Sequence, residues 1–242
     1  MKIIVVDNYE ELSRTAAEMV AEVVESNPCA TLGLATGSTP IGCYEMLAEF
    51  CKDKKLSFKN VSAVNLDEYV GLDKKNEQSY AYFMRRELFD RVDIDKNNTH
   101  IPNGKASNLL DECSRYSKLL NDTDRDVQIL GLGSNGHIGF NEPNTPFDSL
   151  THVVDLAEST IRDNSRLFYD GEQVPRQAIT MGIAEIMQAK RVIMLASGLN
   201  KAQAVKRMTQ GEVSNDCPAS ILQRHPDCTV IVDKDAASLL KK

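Results

Sequence analysis

Ala30-Thr31-Leu32-Gly33-Leu34-Ala35-Thr36-Gly37-Ser38-Thr39-Pro40 is the stretch that decides the fold. An apolar run, Ala30–Ala35, breaks at small polar residues. Pro40 then suits the first position of a helix, with Thr39 as its cap. The spacing of Tyr44, Leu47 and Phe50 carries that helix onward. A strand turning directly into a helix is the building unit of layered α/β proteins. The same alternation extends outward in both directions. Strands are expected at Lys2–Val6, Val61–Leu66, Val127–Leu132, Val192–Ala196 and Thr229–Asp233. Several are apolar at nearly every position, as strands covered on both faces of a parallel sheet must be. Asn8 with Glu11 reads as a capping-box-like helix start, followed by the stripe Leu12, Ala16 and Val20. Later helices are expected over Ser79–Phe89, Asn108–Leu120, Ile179–Gln188 and Lys201–Thr209. Residues 95–107 and 133–150 have loop chemistry, rich in Asn, Gly and Pro. No repeat or linker interrupts the pattern. The reading is one α/β domain over residues 1–242, its sheet mostly parallel with helices on both faces.

Composition narrows the partners. With 28 Lys and Arg against 35 Asp and Glu, the 242-residue chain carries a net charge of −7. That balance argues against nucleic acid or an anionic membrane surface as a partner, while a small anion can still be held by local amides and a few cations. The six cysteines form no CxxC and show no zinc-finger spacing to histidine, so reduced thiols in a cytoplasmic protein are expected. The short apolar start, Ile3–Val6, falls below a signal peptide, and no run approaches the ~20 residues of a membrane span.

Function in open α/β sheets collects in loops beyond the carboxyl ends of strands. Three such loops stand out. Thr36, Gly37, Ser38 and Thr39 form a small-residue turn before a helix, which offers amides, hydroxyls and a helix dipole to an anion. It lacks the Gly-Lys-Ser/Thr ending of a P-loop, and an ordinary β-to-α turn has the same composition. In Asn65-Leu66-Asp67-Glu68-Tyr69 two carboxylates end a strand. Neighbouring strand residues face opposite sides, so one of them reaches any given site, where burial would fit it to act as a base. The third loop runs from Gly131 to Pro143. Its literal GxGxxG is followed by Gly139, Asn141 and Pro143 rather than a helix, against a dinucleotide site. What remains is a glycine-framed His137 with Glu142 five residues on, a pair suited to proton transfer. No third ligand lies close enough in sequence to suggest a metal.

Taken together, these stretches resemble the glucosamine-6-phosphate deaminase (isomerase) family. The matching blocks are LGLATGSTP (32–40), NLDEYVGL (65–72), SYAYFM (79–84), IPNG (101–104), GLGSNGHIGFNEP (131–143), NSRLF (164–168) and KAQAV (201–205). They keep order over nearly the whole chain. The resemblance implies a three-layer, Rossmann-like fold and conversion of D-glucosamine 6-phosphate and water to D-fructose 6-phosphate and ammonia, without metal or organic cofactor. It implies that Asp67 takes the C2 proton. His137 would serve ring opening, tuned by Glu142 and Asn135. The phosphate would lie on the Gly37–Thr39 turn, with Arg166 and Lys201 supplying charge. Some relatives carry Asp where this chain has Asn135, and an amide can orient the pair but not titrate. Residues 151–154, the counterpart of a basic effector stretch in longer relatives, are poor in fixed charge, and the chain ends at Lys242 without their C-terminal extension. An unregulated monomer or small homo-oligomer is therefore expected. Residues 144–171 are expected to cover the sugar as a lid. A 6-phosphogluconolactonase, a galactosamine-6-phosphate isomerase and a non-catalytic sugar-phosphate sensor are the alternatives.

Overall fold

The computed structural model describes residues 1–165, 168 and 174–241. A seven-stranded sheet forms from β1 (Lys2–Val6), β2 (Thr31–Leu34), β3 (Ser62–Asn65), β5 (Thr99–His100), β6 (Val127–Gly131), β9 (Val192–Ala196) and β10 (Cys228–Asp233). Their order is β1-β10-β9-β6-β2-β3-β5, and every pairing is parallel. The inner strands β2, β9 and β10 are buried at every position, whereas edge strand β1 alternates towards solvent. Strands covered on both faces are apolar throughout, but β1 is as apolar and leaves Ile3 and Val5 exposed at the sheet edge.

Helix α1 (Tyr9–Ser26) begins as read, with the Asn8 side chain accepting from the Glu11 N–H, and lies over β1, β9 and β10 beside α2 (Ile41–Lys52). Pro40 is itself the residue flanking α2, and no side chain caps that helix, so Thr39 is left free for another use. Ser79 caps α3 (Tyr80–Met84), which widens into a π-helical turn over Arg85–Phe89, and Asn108 caps α4 (Leu109–Asn121).

A second, antiparallel sheet forms from β4 (Asp67–Tyr69), β8 (Gln177–Thr180) and β7 (His152–Asp155), with β8 in the middle. Strands β4, β5, β7 and β8 lie outside the runs read as strands, β5 within the stretch 95–107 read as loop. The helix expected over Ile179–Gln188 is therefore strand β8 followed by the short α6 (Ile183–Ile186). Ala178 joins a small core with Tyr69, Phe140 and Leu156, Ile179 is buried on the opposite face of the strand, and this tertiary burial decides the segment's conformation. Within the segment expected as a lid, residues 152–155 form β7 and Glu158–Ser165 form α5, while 166, 167 and 169–173 lie outside the described residues. Helix α7 (Ala202–Gln210) follows β9 after a 3-10 turn at Leu199–Lys201.

The small sheet is held close to the loop at Gly104. A methyl group there would stand 1.9 Å from the Tyr69 carbonyl oxygen, and the Gly71 N–H donates to the Gly104 carbonyl at 2.8 Å. Gly104→Ala is expected to lower stability by about 1–3 kcal/mol by forcing β4 to shift. Thermal or urea unfolding checks this, and an unchanged midpoint would contradict the packing described.

Candidate active site

The sheet order reverses between β2 and β6: the chain builds outward from β2 through β3 and β5 on one side and from β6 through β9 and β10 on the other, beside β1 at the edge. At such a switch point the loops leaving the two strands diverge and open a crevice. A cavity of about 370 Å³ lies there. One wall is Thr36–Thr39 after β2, another is Gly131–Ser134 with His137 after β6, and Asp67 of β4 closes the side.

Asp67 and Glu68 behave as strand alternation demands. Asp67 faces the cavity and pairs across the ladder with Thr180. Glu68 points away and accepts the backbone N–H groups of Tyr69, Tyr80 and Ala81, each at 2.9 Å. Asp67 is 5% exposed. Burial, with the neighbouring Glu68 charge as the lesser cause, pushes its carboxyl up to about 8. Such a group holds its proton through neutral pH and gives it up as the pH rises through about 8, and drying the site strengthens that hold because the charged form loses its solvation.

The loop after β6 does not open a helix at Gly136, so the GxGxxG letters build something else. Nested turns fold it back, with Gly136 N–H donating to Gly133 O and Gly133 N–H donating to His137 O, each at 3.0 Å. The His137 imidazole lies against Gly133, where a Cβ would fall 2.4 Å from Cε1. Asn135 bridges the loop: its Oδ1 accepts from the His137 N–H at 3.1 Å, and its Nδ2 donates to Glu142 Oε2 at 2.6 Å. That same oxygen faces His137 Nδ1 at 3.5 Å, an ion-pair distance without hydrogen-bond geometry. The Thr160 hydroxyl donates to Glu142 Oε1. Burial alone would raise the Glu142 carboxyl, but His137, Thr160 and Asn135 outweigh it and bring it down to about 2. Asn135 and Glu142 thus stand behind the imidazole. Gly139, two residues beyond His137, joins the halves: a Cβ there would lie 3.4 Å from Asp67 Oδ2.

The opposite end has the features that suit an anion. Gly37 takes φ +95°, and a Cβ on it would meet open space. Among the described residues the backbone N–H groups of Gly37, Ser38 and Thr39 donate to no protein acceptor. Helices α2 and α7 both start at the cavity, the latter just after Asn200 and Lys201, so two positive dipole ends and one ammonium converge there. Arg166 lies outside the described residues. Sequence reasoning missed Tyr80, Thr160, Arg162 and Asn200, which also line the cavity. Thr160 and Arg162 carry no local signal, because an exposed polar helix has the same composition. No three His, Cys, Asp or Glu side chains gather into a metal site among the described residues.

The family model described as glucosamine-6-phosphate isomerases/6-phosphogluconolactonase matches residues 7–231. The chain is 52% identical over 242 residues to a protein of Clostridium botulinum named glucosamine-6-phosphate deaminase, covering 100% of this chain and 99% of that one. It is 50% identical to one of that name from Thermoanaerobacter pseudethanolicus, covering 99% and 95%. A solved structure described as a monomeric glucosamine-6-phosphate deaminase superposes with a TM-score of 0.97 at 46% identity, covering 99% of this chain and 100% of that chain.

The buried Asp67 carboxyl gives a pH-dependent signature. Unfolded, it titrates near 3.9. Because its folded value is raised, the native state loses stability as pH rises from about 4 through 8. Asp67→Asn removes that loss. The variant should match the wild type near pH 4 and melt at a higher temperature at pH 9. Calorimetry at the two pH values checks this; a variant that melts lower at pH 9 would refute a buried, strained charge.

Proposed function

The chain belongs to the glucosamine-6-phosphate isomerase/6-phosphogluconolactonase family, and we propose that within it the protein converts D-glucosamine 6-phosphate and water to D-fructose 6-phosphate and ammonia. The observation that carries the reading is one cavity with two chemistries. Asp67 and the His137–Glu142 pair meet at Gly139, and an anion turn with Lys201 closes the other end. A phosphorylated aminoaldose has the matching groups at its two ends.

The reaction needs three changes, each a proton transfer or a hydration. Ring opening moves the anomeric hydroxyl proton to the ring oxygen. His137 performs this transfer, with Glu142 stabilising the imidazolium and Asn135 fixing the loop geometry. Asp67 then takes the C2 proton of the open-chain aldehyde and the carbonyl oxygen takes a proton from solvent, which hydrolysis of the later iminium ion returns, leaving a 2-amino enol. Return of the proton to C1 gives the C2 iminium ion; water adds there, and ammonia leaves as the C2 ketone forms. A carboxyl that favours its protonated state holds the proton between C2 and C1, and burial slows its escape to solvent. Thr36–Thr39 and Lys201 hold the phosphate, with Arg166 as a second cation. No step requires a metal or an organic cofactor.

The partner is thus a small amino-sugar phosphate, with no role for nucleic acid or membrane; no described helix is long and apolar enough to cross one. We read the protein as a cytoplasmic monomer or small homo-oligomer. The monomeric description of the structural neighbour supports the first.

Asp67→Asn is expected to lower ammonia release from glucosamine 6-phosphate by on the order of 10²–10⁴. Exchange of the C2 proton in D₂O should fall with it, and exchange at the wild-type rate would remove Asp67 from the role of base. Lys201→Ala should raise KM for the phosphorylated sugar by about 1.5–3 kcal/mol in binding terms and spare weak turnover of free glucosamine. Equal changes for the two sugars would contradict a phosphate contact.

A further inference from the structure

Thr160 lines the cavity and touches the Glu142 carboxylate. Its hydroxyl donates to Glu142 Oε1, and among the described residues that oxygen takes no other hydrogen bond. The partner oxygen, Oε2, is shared by Asn135 and His137. Thr160 is 4% exposed and stands on α5, eighteen positions from Glu142, with β7 intervening. Two residues further along α5, Arg162 lines the cavity together with Lys201 and the Gly37–Thr39 turn. One short helix therefore gives the cavity both a guanidinium-bearing residue and, against Glu142, a hydroxyl.

We propose that Thr160 is a positioning residue coupling the anion end of the cavity to the His137–Glu142 pair. An oxydianion that engages Arg162 fixes α5, α5 seats Thr160, and Thr160 holds the Glu142 carboxylate in the orientation that aims the imidazole. Binding energy from the non-reacting phosphate is then spent on orienting the proton-transfer group rather than on uniform affinity. The other supports of Glu142 do not carry this information, because Asn135 and His137 belong to its own loop. The chemistry rests on the deaminase reading; the mechanical coupling does not.

Phosphite dianion separates the phosphate from the sugar and serves as the probe. In the wild type, phosphite should slow amide exchange both in α5 (158–165) and in the loop 133–142. In Thr160→Val, which keeps the shape and removes the donor, protection should remain in 158–165 and disappear from 133–142. Thr160→Ser should restore it, and Arg162→Ala should lose it in both segments. Turnover provides the second readout. Phosphite should activate ammonia release from free glucosamine by the wild type, and Thr160→Val should lose 10- to 100-fold of that activation with its phosphite Kd within about threefold. A valine variant with wild-type protection of 133–142, or a wild type whose loop ignores phosphite, overturns the proposal. A wild type that releases no ammonia from glucosamine 6-phosphate overturns the deaminase reading instead, and the exchange pattern still decides the coupling.

Discussion

Leu66 is shared by two sheets, and the site depends on that. Its N–H donates to the Leu34 carbonyl at 3.2 Å, continuing the parallel ladder of β2 and β3. Its carbonyl accepts the Met181 N–H at 2.7 Å, where the antiparallel sheet begins. Within one residue the chain leaves the large sheet for the small one, and Asp67 emerges beside the turn that follows β2. The same strand end anchors the other half. The Thr180 hydroxyl accepts the Phe140 N–H at 3.1 Å, and Asn141 Nδ2 donates to the Met181 carbonyl at 2.8 Å. The acid-bearing strand and the histidine loop are thus referenced to the same two residues, Thr180 and Met181. Each bond is modest alone, but together they fix the distance between Asp67 and the His137 loop through two backbone bonds, one buried hydroxyl and one buried amide.

Three carboxyls within this small volume are driven to different states by their surroundings. Asp67 is buried beside the Glu68 charge and pushed up to about 8. Glu68, its chain neighbour, is also raised by burial, to about 7, against three backbone donors that oppose the rise. Glu142 has an imidazole, a hydroxyl and an amide, and stays ionised down to about 2. A carboxyl that prefers its proton suits storage of one during transfer between carbons. A carboxylate that never takes one suits the stabilisation of an imidazolium. Environments that push like groups apart in this way are how one cavity holds both roles.

Much of this was legible in the residues. The runs around Leu32, Ile129, Met194 and Ile231 read correctly because strands covered on both faces have no other way to be written. Alternation assigned Asp67 and Glu68 to opposite faces without coordinates. The small sheet was not legible. Gln177–Thr180 is four residues long and joins a core made by Tyr69, Phe140 and Leu156, none of them nearby in sequence. Its apolar run fits a helix equally well until those partners arrive. Thr160 and Arg162 were hidden for a related reason: which side of a short polar helix faces a cavity is set by tertiary docking, and composition says nothing about docking.

The glycines after β6 show how one spelling serves two physical ends. In a dinucleotide site the third glycine opens a helix, whose free amides then meet a pyrophosphate. Here no helix follows Gly136, so the loop has no dipole to offer. Its glycines provide room instead, since a side chain on Gly133 would occupy the place of the imidazole. The helix starts that do face the cavity are those of α2 and α7, on the side of the Thr36–Thr39 turn and Lys201. The switch-point crevice is thereby divided. Strand β2 leads to the positive, amide-rich end that suits a fixed anion, and β6 leads to a dipole-free end where an imidazole can gain and lose a proton beside its carboxylate. Exchanging the two loops would place the helix dipole beside the imidazole, where positive potential disfavours the protonated state that proton transfer must pass through.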